Sequence, residues 1–375
     1  MNNTTNMKKD EEICELLKIQ SHVVLLGAGA SIAVMKAMQT IPTYDKTSRL
    51  LVTPPPAMND FLKVAGLDYI LKDINIHTSS NNLEDIYTEL SLRSQNEPKI
   101  KEVCSILENE IRDYIGRFYY PRNQLSLYDL LILTLRRKDC IYTFNWDPLI
   151  YDARARVAYE MGRWLNKDAT DYLPNIMYLH GNAKLGYCLK DKQIGQIQGY
   201  CSKCQQELKP MPLLYPTKKK HYSDGEYIED AWKRLEHYNS LSPLLTVWGY
   251  SSPDSDNEAQ EKIFQSWCCQ ERIDGCLHVN NKIKHLEVIN TDRTTQFRNK
   301  WEKYTNPAIP PSFYDNISES VLFKFPRSTI EKYVIPNVRG KLDLGLYSNI
   351  LSSIKTWEDA KNFFLPMLNS ENISN

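Results

Sequence analysis

A short apolar run that breaks into two glycines constrains the fold of this chain more than any other feature. Residues 23–26 are apolar enough for a buried parallel strand, Gly27-Ala28-Gly29-Ala30-Ser31 follows, and residues 32–38 read as a helix. Such a turn presents backbone N–H groups to a phosphate, and glycine permits a close approach because it has no Cβ. Ile32 stands where the dinucleotide fingerprint has a third glycine. The alternative interpretation is therefore a tightly packed strand-to-helix turn.

Length and composition limit the classes of protein to which this chain can belong. The 375 residues suit one large α/β domain with insertions, or two domains. Lys plus Arg equals Asp plus Glu at 46 each, so no overall positive field favours nucleic acid. No apolar run approaches the ~20 residues that a membrane span needs, and the polar start predicts no secretory signal. We expect a cytoplasmic protein whose nine cysteines are buried residues or metal ligands.

Apolar runs and periodic patterns predict an α/β fold with a Rossmann-like parallel sheet. Besides the first strand, apolar runs predict strands at residues 139–143, 175–179, 244–248 and 286–289. Apolar residues at helical spacing predict a helical insertion over residues 58–137. Further helices are predicted at residues 8–19, 347–354 and 357–368, and residues 188–209 form a polar segment too weakly apolar for a core of its own.

Each predicted strand ends in a small or polar residue. In chain order these residues are Gly27, Asn145, His180, Gly249 and Asn290. In an open parallel α/β sheet, ligands bind just beyond the carboxyl ends of the strands. We therefore expect these residues to converge on one site at one edge of the sheet.

The motifs around these positions resemble those of sirtuins and follow the same order along the chain. They are Gly27-Ala28-Gly29-Ala30-Ser31, Ile41-Pro42-Thr43-Tyr44, Thr143-Phe144-Asn145-Trp146-Asp147, Leu179-His180-Gly181 and Gly249-Tyr250-Ser251-x-x-Asp254. The run Pro212-Leu213-Leu214-Tyr215-Pro216, followed by Trp232, resembles the bacterial sirtuin-like branch found in antiphage defence. The resemblance covers about residues 20–295.

The resemblance implies that the chain binds NAD at these motifs. The turn with Gly27, Ala28, Gly29 and Ser31 would hold the NAD pyrophosphate. A cofactor loop over the nicotinamide end would contain Ile41, Pro42 and Tyr44. The adenosine half would be lined by Gly249, Ser251 and Asn290.

The resemblance also implies the residues that act on the substrate. Asn145 and Asp147 would lie beside the nicotinamide ribose, and His180 would be the catalytic histidine. Cleavage of the nicotinamide–ribose bond passes through a cationic ribose, which a preorganised polar site stabilises. An amide can hold an attacking oxygen or ribose hydroxyls, and an imidazole transfers protons near neutral pH. The alternatives are a structural, hydrogen-bonded histidine and a pair of turn-forming residues before Pro148.

A cysteine pair after the histidine motif indicates a candidate zinc module. Cys201-Ser202-Lys203-Cys204 has the spacing of a zinc knuckle, of which sirtuins carry two. The first knuckle is degraded here to Cys188-Leu189-Lys190-Asp191. Because zinc accepts carboxylate ligands, Cys188, Asp191, Cys201 and Cys204 are candidate ligands of a structural zinc. The alternative is a vestigial knuckle held by ordinary turns.

The resemblance to the antiphage branch implies hydrolysis of NAD to nicotinamide and ADP-ribose, in bacterial defence, as the favoured activity. A peptide substrate of a deacylase adds as an extended strand, and no segment that pairs with it is found between residues 210 and 240. The alternatives are an NAD-dependent protein deacylase and a sensor that binds NAD or ADP-ribose without turnover. A pure sensor would not need both Asn145 and His180.

The predicted division of the chain follows from these motifs. Residues 1–20 form an N-terminal helix, and residues 21–295 form a sirtuin-like NAD-binding domain that contains the insertion at 58–137 and the candidate zinc knuckle at 185–210. Residues 296–375 form a tail rich in aromatic residues, such as Phe323 and Phe364, that need a covering surface, either their own core or another subunit. We expect a homo-oligomer that uses the insertion or the tail, with a HerA-like ATPase as a candidate partner by analogy.

Overall fold

The strands of the described residues form two separate sheets. The computed structural model describes residues 14–38, 53–121, 124–215, 217, 225–253, 256–268, 284–305, 309–338 and 350–373. The strands are β1 (His22–Leu26), β2 (Cys140–Thr143), β3 (Asn175–Tyr178), β4 (Leu185–Cys188), β5 (Gln193–Gln196), β6 (Lys209–Pro210), β7 (Leu244–Trp248), β8 (His285–Ile289) and β9 (Ser312–Tyr314). The main sheet is parallel throughout, in the order β3-β2-β1-β7-β8-β9. The predicted α/β, Rossmann-like architecture is confirmed.

Helices connect the strands of the main sheet and pack against it. They are α1 (Ala28–Ala37), α2 (Phe61–Ala65), α3 (Leu83–Ser94), α4 (Pro98–Gly116), α5 (Leu127–Thr134), α6 (Leu149–Leu165), α7 (Glu226–Leu241), α8 (Asn257–Cys268), α9 (Thr295–Glu302), α10 (Val321–Lys324), α11 (Ile335–Val338) and α12 (Trp357–Ile373). No helix of the described residues is long and apolar enough to cross a membrane.

The order of the strands fixes where a ligand can bind. Chain order runs outward from β1 in both directions, so the winding reverses between β1 and β7. Leu26, the last residue of β1, pairs with Thr143 on one side and with Trp248 on the other. The carboxyl ends of these strands are therefore level with one another at the place where the winding reverses, which is the switch point of the sheet. Open α/β sheets bind ligands at such a point.

The core of the main sheet consists of apolar strands covered by apolar helices. Every side chain of β1 and β7 is buried. Helix α5 is buried from Tyr128 to Thr134, and its start is fixed by a capping box in which the Asp129 N–H donates to the Ser126 hydroxyl at 3.1 Å. The Asp129 carboxylate is fully buried and pairs with Arg156 at 3.2 Å.

The predicted insertion at residues 58–137 is helical and carries α2 to α5. Pro98 opens α4, a position where its missing N–H costs no hydrogen bond. Helices α3 and α4 pack on each other through buried apolar side chains at helical spacing. The insertion also exposes four large apolar side chains, Val64, Tyr69, Leu92 and Ile106, with exposed fractions of 43–63%.

The segment that the sequence predicts as too polar for a core folds into a small antiparallel sheet. Its order is β5-β4-β6, and a satellite cluster of Cys188, Cys201 and Leu208 is buried beneath it. Strands of two to four residues are too short for their length or an alternation of apolar and polar residues to be a clear signal. The sequence therefore gave no indication of these three strands.

Residues beyond position 295 share the main core instead of forming a separate tail. Strand β9 extends the sheet beside β8, while Phe323 and Phe364 are buried within this chain. Arg327 donates to both carboxylate oxygens of Glu371 at 2.7 Å and to the carbonyl oxygens of Leu133 and Leu135. The boundary predicted at residue 295 therefore separates residues that pack in one core.

Helix predictions differ from the structure mainly at the ends. Helix α1 begins at Ala28 instead of Ile32, because the small residues of the first turn fit against a neighbouring loop. The closing helix predicted at 357–368 is present as the longer α12. Of the helix predicted at 347–354, the described part is a short 3₁₀ turn, Ile350–Ser353.

Candidate functional site

The glycine turn after β1 packs against the loop that follows β7. The Gly27 N–H donates to the Trp248 carbonyl and the Gly29 N–H to the Gly249 carbonyl, each at 2.9 Å. A Cβ on Gly27 would lie 2.5 Å from the Tyr250 Cα, a separation that no real side chain adopts. The close approach that demands these glycines is thus to the chain's own backbone. The turn places the N-terminus of α1 at the switch point, where its dipole favours an anion.

Asn145 joins the end of β2 to this turn. Its Nδ2 donates to the Gly27 carbonyl and lies within hydrogen-bond distance of the Ser31 hydroxyl, both at 3.0 Å, and the side chain is buried. A carbonyl oxygen can only accept, so the amide nitrogen must face Gly27. The Oδ1 atom then points away from the turn, and among the described residues no donor is hydrogen-bonded to it.

Asp147 completes a buried polar group behind the turn. Burial raises the pKa of its carboxyl to about 6, and the Ser31 hydroxyl opposes that shift by hydrogen-bonding to the ionised form. The same carboxylate accepts the Leu149 N–H at 3.1 Å, which anchors the start of α6. Ser31 and Asn145 therefore act as one hydrogen-bonded unit, and Asp147 fixes the start of the helix that follows.

Tyr128 belongs to this unit, although the sequence gave no indication of it. Its hydroxyl lies 3.0 Å from the Ser31 hydroxyl and 3.5 Å from the Asn145 Nδ2. The side chain is completely buried at the start of α5, within the insertion, and burial raises the pKa of its hydroxyl. A tyrosine at a core position of an apolar helix looks like packing from the sequence alone.

His180 lies at the same edge, after β3, and its surroundings are aromatic. Its ring is 4.7 Å from the Phe144 ring, which in turn stacks on Tyr250 at 4.5 Å. The side chain is only 6% exposed. Phe144 thus connects the histidine to Asn145, its neighbour in sequence, and to the loop after β7.

The loop after His180 is held by close backbone contacts. Gly181 has φ +77°, and a Cβ there would lie 1.7 Å from the Pro212 carbonyl oxygen. The Leu214 N–H donates to the His180 carbonyl at 3.1 Å. Buried Asn182 donates to the Asp147 carbonyl oxygen at 2.8 Å. Asn182 therefore links the loop that contains His180 to the loop that contains Asn145. Its position directly after His180-Gly181 is a signal from which this role could have been predicted.

The residues predicted for the adenosine half lie on the other side of the switch point. Gly249 has φ +69°, and a Cβ would meet the Ala30 backbone nitrogen at 2.0 Å. Asn290 donates to the Tyr250 carbonyl at 3.4 Å and accepts the Asp292 N–H at 3.1 Å, so its side chain supports the loops. Ser251 is exposed at this edge. Ile41, Pro42, Tyr44 and Asp254 lie outside the described residues.

The four predicted metal ligands converge in the small sheet. The ligand atoms of Cys188, Asp191, Cys201 and Cys204 all lie within 4.8 Å of one another. The Cys188 and Cys204 sulfurs are 3.5 Å apart, and the Cys201 sulfur is 3.2 Å from Asp191 Oδ2. Tetrahedral zinc with bonds of ~2.3 Å to sulfur separates its ligands by about 3.8 Å. This donor set and its spacing fit a zinc ion.

Known proteins resemble this chain only distantly. No family model and no curated protein matches it. Similar solved structures include a Sir2 homologue in complex with NAD, with a TM-score of 0.34, 13% identity, and coverage of 89% of this chain and 95% of that chain. A Sir2 homologue mutant with ADP-ribose has a TM-score of 0.30 and 14% identity, over 90% of this chain and 99% of that one. Similarity this distant carries no argument about function.

Proposed function

We propose that this protein hydrolyses NAD to nicotinamide and ADP-ribose at the carboxyl edge of the main sheet. The observation that carries the proposal is the 3.0 Å hydrogen bond from Asn145 to Gly27. It joins the residue that would face the nicotinamide ribose to the turn that would face the pyrophosphate. The order of the sirtuin-like motifs along the chain supports the same assignment.

The chemistry assigns a task to each polar residue. The bond between ribose C1′ and the nicotinamide nitrogen breaks, and its electron pair leaves with nicotinamide. The cationic ribose then takes an oxygen from water, which releases one proton. Asn145, with its Nδ2 held by Gly27, would orient a ribose hydroxyl or the water through Oδ1. Asp147 would stabilise the positive charge, and His180 would receive a proton.

The burial of the catalytic residues favours water over an acyl-lysine as the acceptor. Asn145, Asp147 and His180 are each 6% exposed. His180 is covered by the Phe144 ring, and its loop is pinned by the segment around Pro212. Water reaches such a site more readily than the side chain of a bound peptide does.

The cysteine cluster would support the fold and take no part in the reaction. Cys188, Asp191, Cys201 and Cys204 would hold one zinc ion and tie β4 to the loop after β5. A four-ligand site leaves no open position for a substrate, which is the mark of a structural zinc. We assign zinc a role in stability only.

The setting that we propose is bacterial antiphage defence by depletion of NAD in the cytoplasm. A hydrolase that was always active would exhaust the NAD of its own host, so its resting form should be restrained. Assembly of the chain with itself, or with a HerA-like ATPase, would supply that restraint. The exposed apolar side chains of the insertion support self-association.

Product analysis tests the proposed reaction. Purified chain is incubated with NAD, alone and with an acetylated peptide, and the products are separated by chromatography. Free nicotinamide with ADP-ribose is the expected result. O-acetyl-ADP-ribose would indicate a deacylase instead, and binding of NAD without any product would indicate a sensor.

A histidine variant shows whether the product comes from this site. His180→Ala should lower nicotinamide release about 100- to 10,000-fold, as loss of a general base does. His237→Ala is the matched control, since His237 is exposed on α7. Equal rates in both variants would remove His180 from the mechanism.

A further inference from the structure

Tyr128 is held rigidly against the candidate site by residues of three other elements. The capping box of Ser126 and Asp129 fixes the first turn of α5 on which it lies. Its ring meets the Trp248 ring edge-on at 5.5 Å, at the end of β7. Its hydroxyl reaches Ser31 on α1 and comes within 3.5 Å of Asn145 after β2.

The Asn145 amide and the Tyr128 hydroxyl meet at the Ser31 hydroxyl. Asn145 Nδ2 can only donate, so the Ser31 oxygen accepts from it at 3.0 Å. The Tyr128 hydroxyl lies 3.0 Å from the same Ser31 oxygen and accepts from Asn145 Nδ2 at 3.5 Å. Tyr128 therefore contacts both the amide nitrogen of Asn145 and the hydroxyl to which that nitrogen donates.

We propose that Tyr128 is a positioning residue, whose hydroxyl bonds to Ser31 and Asn145 and thereby holds the Asn145 amide in its working orientation. The proposal rests on the proposed function, in which the Asn145 Oδ1 atom faces the substrate. Without the tyrosine hydroxyl, the Ser31 hydroxyl loses a hydrogen-bond partner and can rotate. Asn145 then loses a fixed acceptor, and its amide samples orientations that are wrong for the reaction.

A packing role alone would predict a different outcome. Tyr333 is also a buried tyrosine, and its hydroxyl is 2.9 Å from His285 Nε2. His285 begins β8, at the end of the sheet opposite the candidate site. Tyr333→Phe therefore removes a buried tyrosine hydrogen bond without touching the site, and it serves as the matched control for Tyr128→Phe.

Steady-state kinetics of nicotinamide release separate the two roles. Tyr128→Phe should lower kcat roughly tenfold, the effect of one lost hydrogen bond, while KM for NAD stays within about twofold. Tyr333→Phe should leave both constants unchanged, although each variant lowers Tm. A Tyr128→Phe enzyme with wild-type kcat would overturn the proposal.

A second measurement needs no turnover and so separates this proposal from the proposed function. Protein labelled with ¹⁵N at asparagine gives a side-chain amide signal for Asn145, assigned by its loss in Asn145→Ala. Tyr128→Phe should shift or broaden this signal, and Tyr333→Phe should not. If wild-type protein releases no nicotinamide, the proposed function fails, and the signal alone decides whether Tyr128 positions Asn145. An unchanged signal in Tyr128→Phe would refute that role.

Discussion

Asn145 Nδ2 donates to the carbonyl oxygen of Gly27 at 3.0 Å, and this bond joins the loop after β2 to the turn after β1. The two strands are paired in parallel, with Leu26 opposite Thr143, so the loops that leave them start side by side. The bond also sets the orientation of the amide, because the Gly27 oxygen accepts and cannot donate. A change at Asn145 should therefore alter catalysis more than binding.

Asn145→Ala should abolish measurable nicotinamide release while NAD binding, measured by calorimetry, weakens only a few-fold. Most contacts with NAD are expected at the α1 turn and the adenosine half, which this substitution leaves in place. Asn145→Asp should be equally inactive, because it sets a carboxylate oxygen against the Gly27 carbonyl and both groups can only accept. Activity retained in Asn145→Asp would show that the bond to Gly27 does not matter.

Asn239 offers a matched control for these variants. It is fully buried in α7 and donates to the Ile263 carbonyl at 2.6 Å, away from the carboxyl edge. Asn239→Ala should lower Tm and leave kcat and KM of the remaining folded protein unchanged. If binding and turnover fall by the same factor in Asn145→Ala, Asn145 is a binding residue and not a catalytic one.

Gly249→Ala should destabilise the protein far more than a glycine-to-alanine substitution at Gly66 does. Gly249 and Gly66 have nearly the same backbone conformation, with φ +69° and +68°. A Cβ on Gly66 meets nothing within 4 Å, whereas a Cβ on Gly249 meets the Ala30 nitrogen at 2.0 Å. Gly66→Ala should cost about 1–2 kcal/mol from backbone strain alone.

Thermal unfolding and NAD titration measure the difference between these two glycine variants. Gly249→Ala should show the larger fall in Tm and should lose NAD binding, because α1 can no longer lie against the loop after β7. Gly66→Ala should bind NAD as the wild type does. Equal effects of the two substitutions would mean that the contact between Gly249 and α1 is dispensable.

The sequence predicted the strands and their carboxyl ends because buried parallel strands are nearly continuous apolar runs. The positions of Asn145 and His180 at this edge of the sheet could be predicted for the same reason, since each directly follows such a run. Tyr128 could not, because its contact with Ser31 joins residues 97 positions apart that share no motif. Strand β9 has only three residues, and its pairing with β8 depends on tertiary packing that no local pattern encodes.

The aromatic residues of the C-terminal region show what composition leaves open. Phe323 and Phe364 indicated a need for a covering surface, either a core of their own or another subunit, and both are buried within the chain itself. The apolar side chains that remain exposed include Leu92 and Ile106, on the insertion. A count of aromatic residues cannot distinguish side chains that are buried from those that stay exposed, because burial depends on which helix packs against them.

Self-association should therefore depend on the insertion. Light scattering should give a mass well above the 43.7 kDa of one chain. Leu92→Glu should shift the mass toward that of one chain, because burying a charge at an apolar contact is costly. Tyr159→Glu is the control, since Tyr159 is 66% exposed on α6, outside the insertion. A monomeric wild type would contradict the prediction of a homo-oligomer.

Zinc should be present at close to one ion per chain, measured by elemental analysis. Cys201→Ser should lose the ion and lower Tm, because metal binding stabilises the folded state. Asp191→Cys should keep the ion, since it completes a set of four thiolates. Cys104→Ala removes a buried cysteine from α4 and should leave the zinc content unchanged. Metal-free protein of full stability would mean that the cluster is a vestigial knuckle.

Glu287 should give the stability of the protein a pH dependence that Glu287→Gln removes. The side chain is fully buried in β8, where it accepts from the Thr246 hydroxyl and the Val321 N–H, each at 2.9 Å. Burial raises the pKa of its carboxyl from 4.5 to about 7. The unfolded chain loses this proton near the ordinary pKa, whereas the folded chain keeps it to about pH 7. The free energy of unfolding therefore falls as pH rises across that window, by on the order of 3 kcal/mol.

Melting curves of Glu287→Gln and wild type between about pH 5 and about pH 8 measure this effect. The Tm of the variant minus that of the wild type should rise with pH. His22, whose pKa burial lowers to about 3, destabilises both proteins as pH falls below its ordinary value of 6.5, and cancels in the difference. Glu89→Gln is the control whose Tm difference from wild type should not change with pH, because the pKa of Glu89 lies below this range. Burial opposes the shift at Glu89, but donors from His77, Thr78 and Arg93 lower its pKa, so its carboxylate stabilises the fold at neutral pH. A Tm difference for Glu287→Gln that does not change with pH would show that Glu287 is ionised in the folded protein at both ends of the range.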